Sequence, residues 1–160
     1  MTTTVSSLDS VADWVHATRF EDIPAAVIKR AKTHLKDGIG VALAAANERD
    51  LEKTIRQFTS TEKQMPCSLV TGQKVQSPAE AALINGMAAH YFDFDDTSFS
   101  GIVHGTAAIW PAALAMVQKS GGTGKDFLLA FILGSEALYY LGECLGNDHY
   151  RKGWWSSATL

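Results

Sequence analysis

The stretch from Ser77 to Thr97, SPAEAALINGMAAHYFDFDDT, is the part of the sequence that decides how the chain folds. It opens as a helix, because Ser77 can cap, Pro78 fits the first helical position and Glu80 can complete a capping box. Apolar residues then recur at helical spacing, which predicts that the helix runs to about Tyr91. A group of aspartates follows directly on it. The stretch therefore predicts a helix that ends in an acidic turn.

Helical periodicity continues on both sides of this stretch, and strand signals are weak. Further helices are predicted around Leu8, Ile28, Leu51, Thr106 and Lys125. A weak hairpin is predicted around Gly72 and Gln73, and strands do not alternate with helices as they do in α/β proteins. We therefore expect one all-α domain that covers residues 1–160, a length that suits a single domain.

Glycines inside two of these predicted helices indicate where a neighbouring helix approaches and where a helix ends. Gly38 and Gly40 each cost about 1 kcal/mol relative to alanine in a helix, so we expect another helix to approach both of them closely. Gly146 is expected to end the long apolar helix, and residues 147–155 are expected to form a polar and aromatic loop.

The charge balance and the cysteine count exclude several classes of function. The chain carries 14 Lys and Arg against 17 Asp and Glu, a net charge of −3, which argues against a nucleic-acid partner. Cys67 and Cys144 are too few to form a three- or four-cysteine iron–sulfur or zinc site. They could form one disulfide, but we expect two reduced, buried thiols.

One stretch of the sequence resembles a membrane span. Residues 127–145 are largely apolar, but Glu136 and Glu143 interrupt them, and a charge near the centre of a bilayer is costly. A buried core helix accounts for the stretch better. Residues 1–10 lack the basic and apolar parts of a signal peptide. We therefore expect a cytoplasmic protein with no membrane partner.

The acidic turn, residues 93–97, is the first candidate for chemistry. Its closely spaced carboxylates repel one another unless they are solvated, protonated, paired or bound to a metal. A solvated turn is the plainest interpretation, although the flanking aromatic residues would hold the acids in place. The string DFDDT also matches the DxDxT motif of Mg²⁺-dependent phosphatases, which needs a strand directly before Asp93. An EF-hand fails, because glycine is missing at the sixth loop position.

General acid–base chemistry is the other interpretation of this segment. A carboxylate can orient a nearby histidine, which then moves a proton near neutral pH. His104 follows the acidic turn and precedes a predicted helix, whose dipole disfavours a charged imidazole. Taken alone, His104 is as well explained by a structural role as by a functional one.

A second polar cluster occupies residues 149–155, with the sequence HYRKGWW. Its cations and its hydroxyl could bind carboxylates, and Arg151 could do so through two parallel hydrogen bonds. A surface turn with partly buried tryptophans explains the cluster equally well.

Several strings, in their order and spacing, resemble the MmgE/PrpD family, whose members include 2-methylcitrate dehydratase, cis-aconitate decarboxylase and iminodisuccinate epimerase. The strings that carry the resemblance lie at 31–46, 85–97, 110–115, 124–128, 134–136 and 149–154. The resemblance implies the helical amino-terminal domain of a longer enzyme, whose smaller α/β domain is absent from this chain. It also implies a homodimer that needs no metal and no cofactor and that acts on a small di- or tricarboxylate.

The resemblance implies roles for three residues of the acidic segment. A lyase of the 2-methylcitrate dehydratase type moves a proton at a carbon next to a carboxylate. Asp93 is expected to orient a partner or to act as acid or base, and His104 to act as acid or base. Thr97 is expected to form a hydrogen bond with the substrate.

The chain departs from the family pattern at Trp155, where many relatives have a histidine. The departure favours an epimerase of a dicarboxylate such as iminodisuccinate as the alternative activity, with Tyr150 as acid or base. Arg151 and Lys152 are expected to bind the substrate carboxylates. Residues that the family supplies later, including a catalytic-type lysine, are not in this sequence. An inactive helical or dimerisation module is therefore the remaining alternative.

Overall fold

The computed structural model describes residues 7–57, 67–75 and 77–160. Helices dominate this part of the chain, and its paired strands form a short hairpin. The α-helices are α1 (Ser7–Ala17), α2 (Ala25–Ala44), α3 (Arg49–Gln57), α4 (Pro78–His90), α5 (Gly105–Ser120), α6 (Gly124–Arg151) and α7 (Ser156–Thr159). A 3-10 turn spans Phe20–Asp22, and β1 (Cys67–Ser68) pairs antiparallel with β2 (Lys74–Val75). The predicted all-α class and the predicted hairpin are confirmed.

Helix α4 lies at the centre of the fold, where it packs against α2, α3 and α5. Its small side chains let the neighbouring helices approach, and Ala81, Ile84, Ala88 and Ala89 are fully buried. Trp110 of α5 is also fully buried. Because close-packed neighbours hold α4 on several sides, the acidic turn that follows it has a rigid support.

The segment before Asp93 is helical, which contradicts the phosphatase interpretation. Helix α4 runs to His90 and leads straight into the acidic turn. A phosphatase of the DxDxT type needs a strand there, and the described strands lie at 67–68 and 74–75. The match to the phosphatase motif is therefore a chance similarity in sequence.

The start of α4 agrees with the prediction only in part. Ser77 is the N-cap residue and Pro78 the first helical residue, as predicted. The Ser77 side chain accepts no capping hydrogen bond, however, and Glu80 Oε2 is buried without a hydrogen-bond partner among the described residues. The predicted capping box is therefore wrong. The helix start rests instead on the fixed φ of Pro78, which already suits a helix.

Gly38 and Gly40 have different surroundings in α2. A β-carbon on Gly38 would lie 2.5 Å from Thr106 Cγ2, so glycine is needed where α2 meets α5. A β-carbon on Gly40 would have no neighbour within 4 Å, because this residue lies on an exposed face. The expected close approach is confirmed for Gly38 and wrong for Gly40.

Helix α6 is the long apolar helix of the sequence, and its end differs from the prediction. Gly146 has φ +64° and ψ −177° and interrupts the helical backbone, as expected. The chain then returns to helix as far as Arg151, so residues 147–151 are not a loop. By length and composition alone α6 could cross a membrane, a test that core helices of soluble proteins also pass. It packs against α5 and α2, and 33% of its most apolar 18-residue stretch is buried.

The two cysteines lie in different environments. Cys67 is buried in the core, and its thiol lies 3.6 Å from the carbonyl oxygen of Ala115. Burial raises the pKa of the Cys67 thiol, which keeps it protonated near neutral pH. Cys144 is exposed on α6, so the expectation of two buried thiols is wrong for this residue.

Candidate active site

The acidic turn joins α4 to a loop that leads into α5. Asp93 has a φ of +55°, in the left-handed region that aspartate tolerates better than most residues. Ser98 and Val103 exchange two backbone hydrogen bonds, of 2.9 and 3.3 Å, and so close the loop. His104 follows as the N-cap residue of α5. The closed loop therefore returns His104 to the acidic turn.

Asp95 is the buried centre of the site, with a side chain that is 0% exposed. His90 Nδ1 is hydrogen-bonded to Asp95 Oδ1 at 2.8 Å. His104 Nδ1 lies 3.2 Å from Asp95 Oδ2, an ion-pair contact without the angle of a hydrogen bond. The two imidazole rings, called the histidine pair below, meet edge to face with centroids 4.7 Å apart. A buried carboxylate is costly unless it is paired, so the histidine pair makes this burial tolerable.

Asp93 and Thr97 complete the surroundings of His104. Asp93 Oδ1 lies 3.8 Å from His104 Nε2, although the Asp93 side chain is 72% exposed. The Thr97 hydroxyl lies 3.4 Å from His104 Nδ1. The structure thus brings together Asp93, Thr97 and His104, which the sequence singled out in this segment. Their catalytic roles remain predictions.

A cavity of about 210 Å³ opens beside the histidine pair. Small residues and larger rings line it together: Gly86, His90, His104, Ala107, Ala108, Trp155, Ser157 and Ala158. The Trp155 ring stacks on the His104 ring at a centroid distance of 6.1 Å. Ser157 Oγ accepts a hydrogen bond of 2.8 Å from the His104 backbone N–H. Trp155 and α7 therefore form one wall of the cavity and hold His104 in place.

The neighbouring Asp96 belongs to a separate network between α2, α5 and α6. It accepts hydrogen bonds from the Thr106 N–H at 3.1 Å and from the Tyr139 hydroxyl at 3.2 Å. His34 Nδ1 lies 3.3 Å from the same carboxylate. Burial, together with the negative charge of Asp96, raises the pKa of Tyr139 well above its usual range. This network ties the acidic turn to three helices.

Comparison with known proteins identifies the family to which this sequence belongs. The sequence matches the MmgE/PrpD N-terminal domain over residues 9–160. The chain belongs to the MmgE/PrpD family.

Relatives of this MmgE/PrpD chain are much longer than the chain itself. It is 30% identical to the cis-aconitate decarboxylase-like protein oryM of Aspergillus oryzae, over 94% of the chain and 33% of that protein. It is 29% identical to cis-aconitate decarboxylase of Aspergillus terreus, over 93% of the chain and 32% of that enzyme. The enzyme of Mus musculus is 29% identical over 82% of the chain and 28% of its own length. The chain spans about a third of the length of these relatives.

The other predicted site residues of the MmgE/PrpD chain stand apart from the histidine pair. The Tyr150 ring tilts against Trp155, with centroids 5.5 Å apart, and so contacts the wall of the cavity. Arg151 is exposed, and its Nη1 lies 3.9 Å from Asp148 Oδ1. Lys152 is exposed at the end of α6. The described contacts bring neither Arg151 nor Lys152 to the histidine pair.

His90, Asp95 and Ser157 are candidate functional residues that sequence reasoning missed. No sequence pattern distinguishes Asp95 from Asp93, because the burial of one carboxylate depends on the loop that closes over it. His90 carried a weak signal, since it is a histidine at the end of a well-signalled helix. Ser157 carried none, because it reaches His104 from 53 positions away along the chain.

The donor atoms of the candidate site are also of the kinds that bind transition metals. Ligand atoms of His90, Asp93, Asp95 and His104 lie within 4.8 Å of one another, and imidazole with carboxylate is a common combination for zinc. The shortest separation, 2.8 Å, is that of a hydrogen bond, so His90 can serve as a donor to Asp95. Metal independence, which the family resemblance implied, remains a prediction.

Proposed function

We propose that this chain carries the acid–base centre of a lyase that acts on a small tricarboxylate such as cis-aconitate or 2-methylcitrate. The observation that carries the proposal is His104, which contacts the buried Asp95 and lines a cavity. Membership of the MmgE/PrpD family supports the proposal. The relatives named as cis-aconitate decarboxylases support it further.

His104 has the surroundings that a proton-transfer group needs. Its side chain is 12% exposed, and Asp95 faces its Nδ1. A carboxylate in that place orients the ring and stabilises the imidazolium that forms when the ring takes a proton. Transfer of a proton by such a group contributes roughly 10²- to 10⁴-fold in rate. His104 is therefore the residue proposed to move a proton at the carbon next to a substrate carboxylate.

Asp93 and Thr97 are proposed to assist this transfer. Asp93 Oδ1 is 3.8 Å from His104 Nε2, and its exposed side chain has room to orient that nitrogen or a substrate hydroxyl. The Thr97 hydroxyl, 3.4 Å from His104 Nδ1, can donate a hydrogen bond to a substrate carboxylate. Both groups are thus proposed to position the reacting atoms beside the imidazole.

A substrate with several carboxylates also needs cations, and the described lining of the cavity offers only imidazoles. Arg151 and Lys152 precede the Trp155 wall in the chain, and we propose that they bind substrate carboxylates through charge-assisted hydrogen bonds. Because the chain spans about a third of the length of its relatives, we also propose that residues elsewhere in the whole protein complete the site.

Epimerisation of a dicarboxylate is the second candidate activity. Such a reaction uses two acid–base groups, one on each face of a single carbon. The observation that favours it is the Tyr150 ring, which packs against the Trp155 wall of the cavity. Tyr150 would then act together with His104.

The test uses the full-length protein that carries this chain, with cis-aconitate, 2-methylcitrate and iminodisuccinate offered in separate reactions. Proton NMR in D₂O identifies the products. We expect loss of CO₂ or of water from one of the tricarboxylates, and no such loss with His104→Ala. Inversion of iminodisuccinate alone would replace the lyase by the epimerase. If none of the three compounds reacts, the chain is better explained as a non-catalytic helical module.

A further inference from the structure

The buried Asp95 contacts two imidazoles, and the lyase proposed above uses only one of them. His90 Nδ1 makes the shorter contact, 2.8 Å against 3.2 Å for His104 Nδ1. Building on that proposed function, we infer that His90 is a second acid–base residue of the same site.

The contacts with Asp95 favour one protonated nitrogen in each ring. An ionised carboxylate only accepts hydrogen bonds, so His90 Nδ1, which is hydrogen-bonded to Asp95 Oδ1, is an N–H group. His104 Nδ1 lies 3.2 Å from Asp95 Oδ2 without the angle of a hydrogen bond, and the negative charge of that oxygen favours a proton on this nitrogen as well. The proton that can be gained or lost is therefore on Nε2 in each ring. His90 and His104 thus share one anchor and present the same reactive atom.

His90 lines the same cavity as His104 but is more accessible to water. Both side chains form part of the cavity wall, and their ring centroids are 4.7 Å apart. The His90 side chain is 43% exposed, whereas that of His104 is 12% exposed. His90 can therefore exchange a proton with solvent, while His104 is better placed to act on an enclosed substrate carbon.

A single carboxylate between two imidazoles can balance the charge of one protonated ring. When one ring carries a second proton, Asp95 and the histidine pair are together neutral. When both rings or neither ring carries it, a net charge remains around a buried group, which is costly. Asp93 adds a negative charge 3.9 Å from His90 Nδ1, but its exposed side chain is screened by solvent. In this charge-balanced state, one ring is an acid and the other is a base at the same cavity.

A dehydration needs both members of such a pair. The neutral His104 takes the proton from the carbon next to the carboxylate, and the electron pair of the broken C–H bond forms the second bond of C=C. The C–O bond breaks with its electron pair on oxygen, which takes a proton from the His90 imidazolium and leaves as water. In a decarboxylation the C–CO₂ bond breaks instead, and its electron pair shifts through the double bond. The His104 imidazolium then protonates the far carbon, and His90 takes up a proton from solvent and passes it on to His104, which restores the starting state.

His90→Asn tests this assignment in the full-length protein. The asparagine amide can replace Nδ1 as the donor to Asp95, but it cannot transfer a proton. We expect kcat on the tricarboxylate to fall by about 100-fold or more, with KM changed by less than about threefold. His16→Asn, at the exposed end of α1, is the matched control and should leave both constants unchanged. Nitrogen-15 NMR should show the His104 proton on Nδ1 in the wild type and in His90→Asn.

Two results would overturn the proposed role of His90 and leave the lyase proposal intact. If kcat of His90→Asn stays within about threefold of the wild type, His90 only holds Asp95 in place. If kcat falls but His104 also loses its Nδ1 proton, His90 acts through His104 and is a positioning residue. A wild-type protein that turns over none of the three compounds would remove the lyase proposal and this inference together.

Discussion

Tyr139 lies so close to Gly105 that a β-carbon on Gly105 would collide with the phenol ring. This approach lets the Tyr139 hydroxyl donate to Asp96 at 3.2 Å, and Asp96 is the neighbour of the buried Asp95. Gly105 itself directly follows His104, at the start of α5. Because Gly105 has no side chain, Tyr139 has room to reach Asp96, at a position next to the proposed catalytic histidine.

Replacement of Gly105 by alanine should destabilise the domain. The new methyl group would meet Tyr139 in a packed region, and overpacking of this kind costs about 1 to 3 kcal/mol in the free energy of unfolding. Urea unfolding followed by circular dichroism measures the loss. Gly40→Ala in α2 is the control, because nothing lies within 4 Å of a β-carbon there. It should stabilise the protein by roughly 0.5 to 1 kcal/mol, and equal losses in the two variants would contradict the close approach.

The free energy of unfolding should fall at alkaline pH, in part because of Tyr139. An unfolded tyrosine loses its proton near about pH 10, whereas folded Tyr139 keeps it, because burial and the charge of Asp96 raise its pKa. This contribution to stability is therefore complete below about pH 10 and is lost as the pH rises further.

Tyr139→Phe isolates that contribution, since phenylalanine has no proton to lose. Its stability should decline less than that of the wild type between about pH 9 and about pH 11, as measured by urea unfolding. Cys67, whose pKa burial also raises, contributes equally to both proteins. The same decline in both would mean that Tyr139 titrates normally in the folded state.

Asp95→Asn and Asp93→Asn should have similar effects on activity and different effects on stability. Each aspartate contacts His104, so each variant should lower turnover by the full-length protein by about two orders of magnitude or more. Only Asp95→Asn should also lower the melting temperature, because it removes a buried charge that pairs with two imidazoles. Steady-state kinetics and thermal unfolding measure the two effects. Full activity in Asp93→Asn would leave Asp95 as the one aspartate that orients the histidine pair.

Removal of divalent metals should leave turnover unchanged. His90 Nδ1 is hydrogen-bonded to Asp95, His104 Nδ1 faces the same carboxylate at 3.2 Å, and a nitrogen that carries a proton cannot bind a metal. Dialysis against EDTA followed by kinetics, with elemental analysis before and after, provides the measurement. A stoichiometric metal whose loss abolishes turnover would contradict the metal-independent mechanism.

Most of the helical architecture could be predicted, because helical spacing of apolar residues and the conformational preferences of proline and glycine act locally. Pro78 marks the first residue of α4, and Gly146 interrupts α6, as their backbone preferences require. The same local reasoning failed for the Ser77 cap and for Gly40. A cap depends on the rotamer that the surroundings allow, and a glycine does not reveal which face of its helix meets a neighbour.

The sequence by itself determined the helical class, the family and the segment that holds Asp93, Thr97 and His104, since these follow from residue order and short-range spacing. Only the tertiary structure decided that Asp95 is the carboxylate buried between two imidazoles and that Ser157 holds His104 from 53 positions away. Burial and long-range contacts arise when separate helices pack against one another, and no local pattern of residues encodes which side chain they enclose.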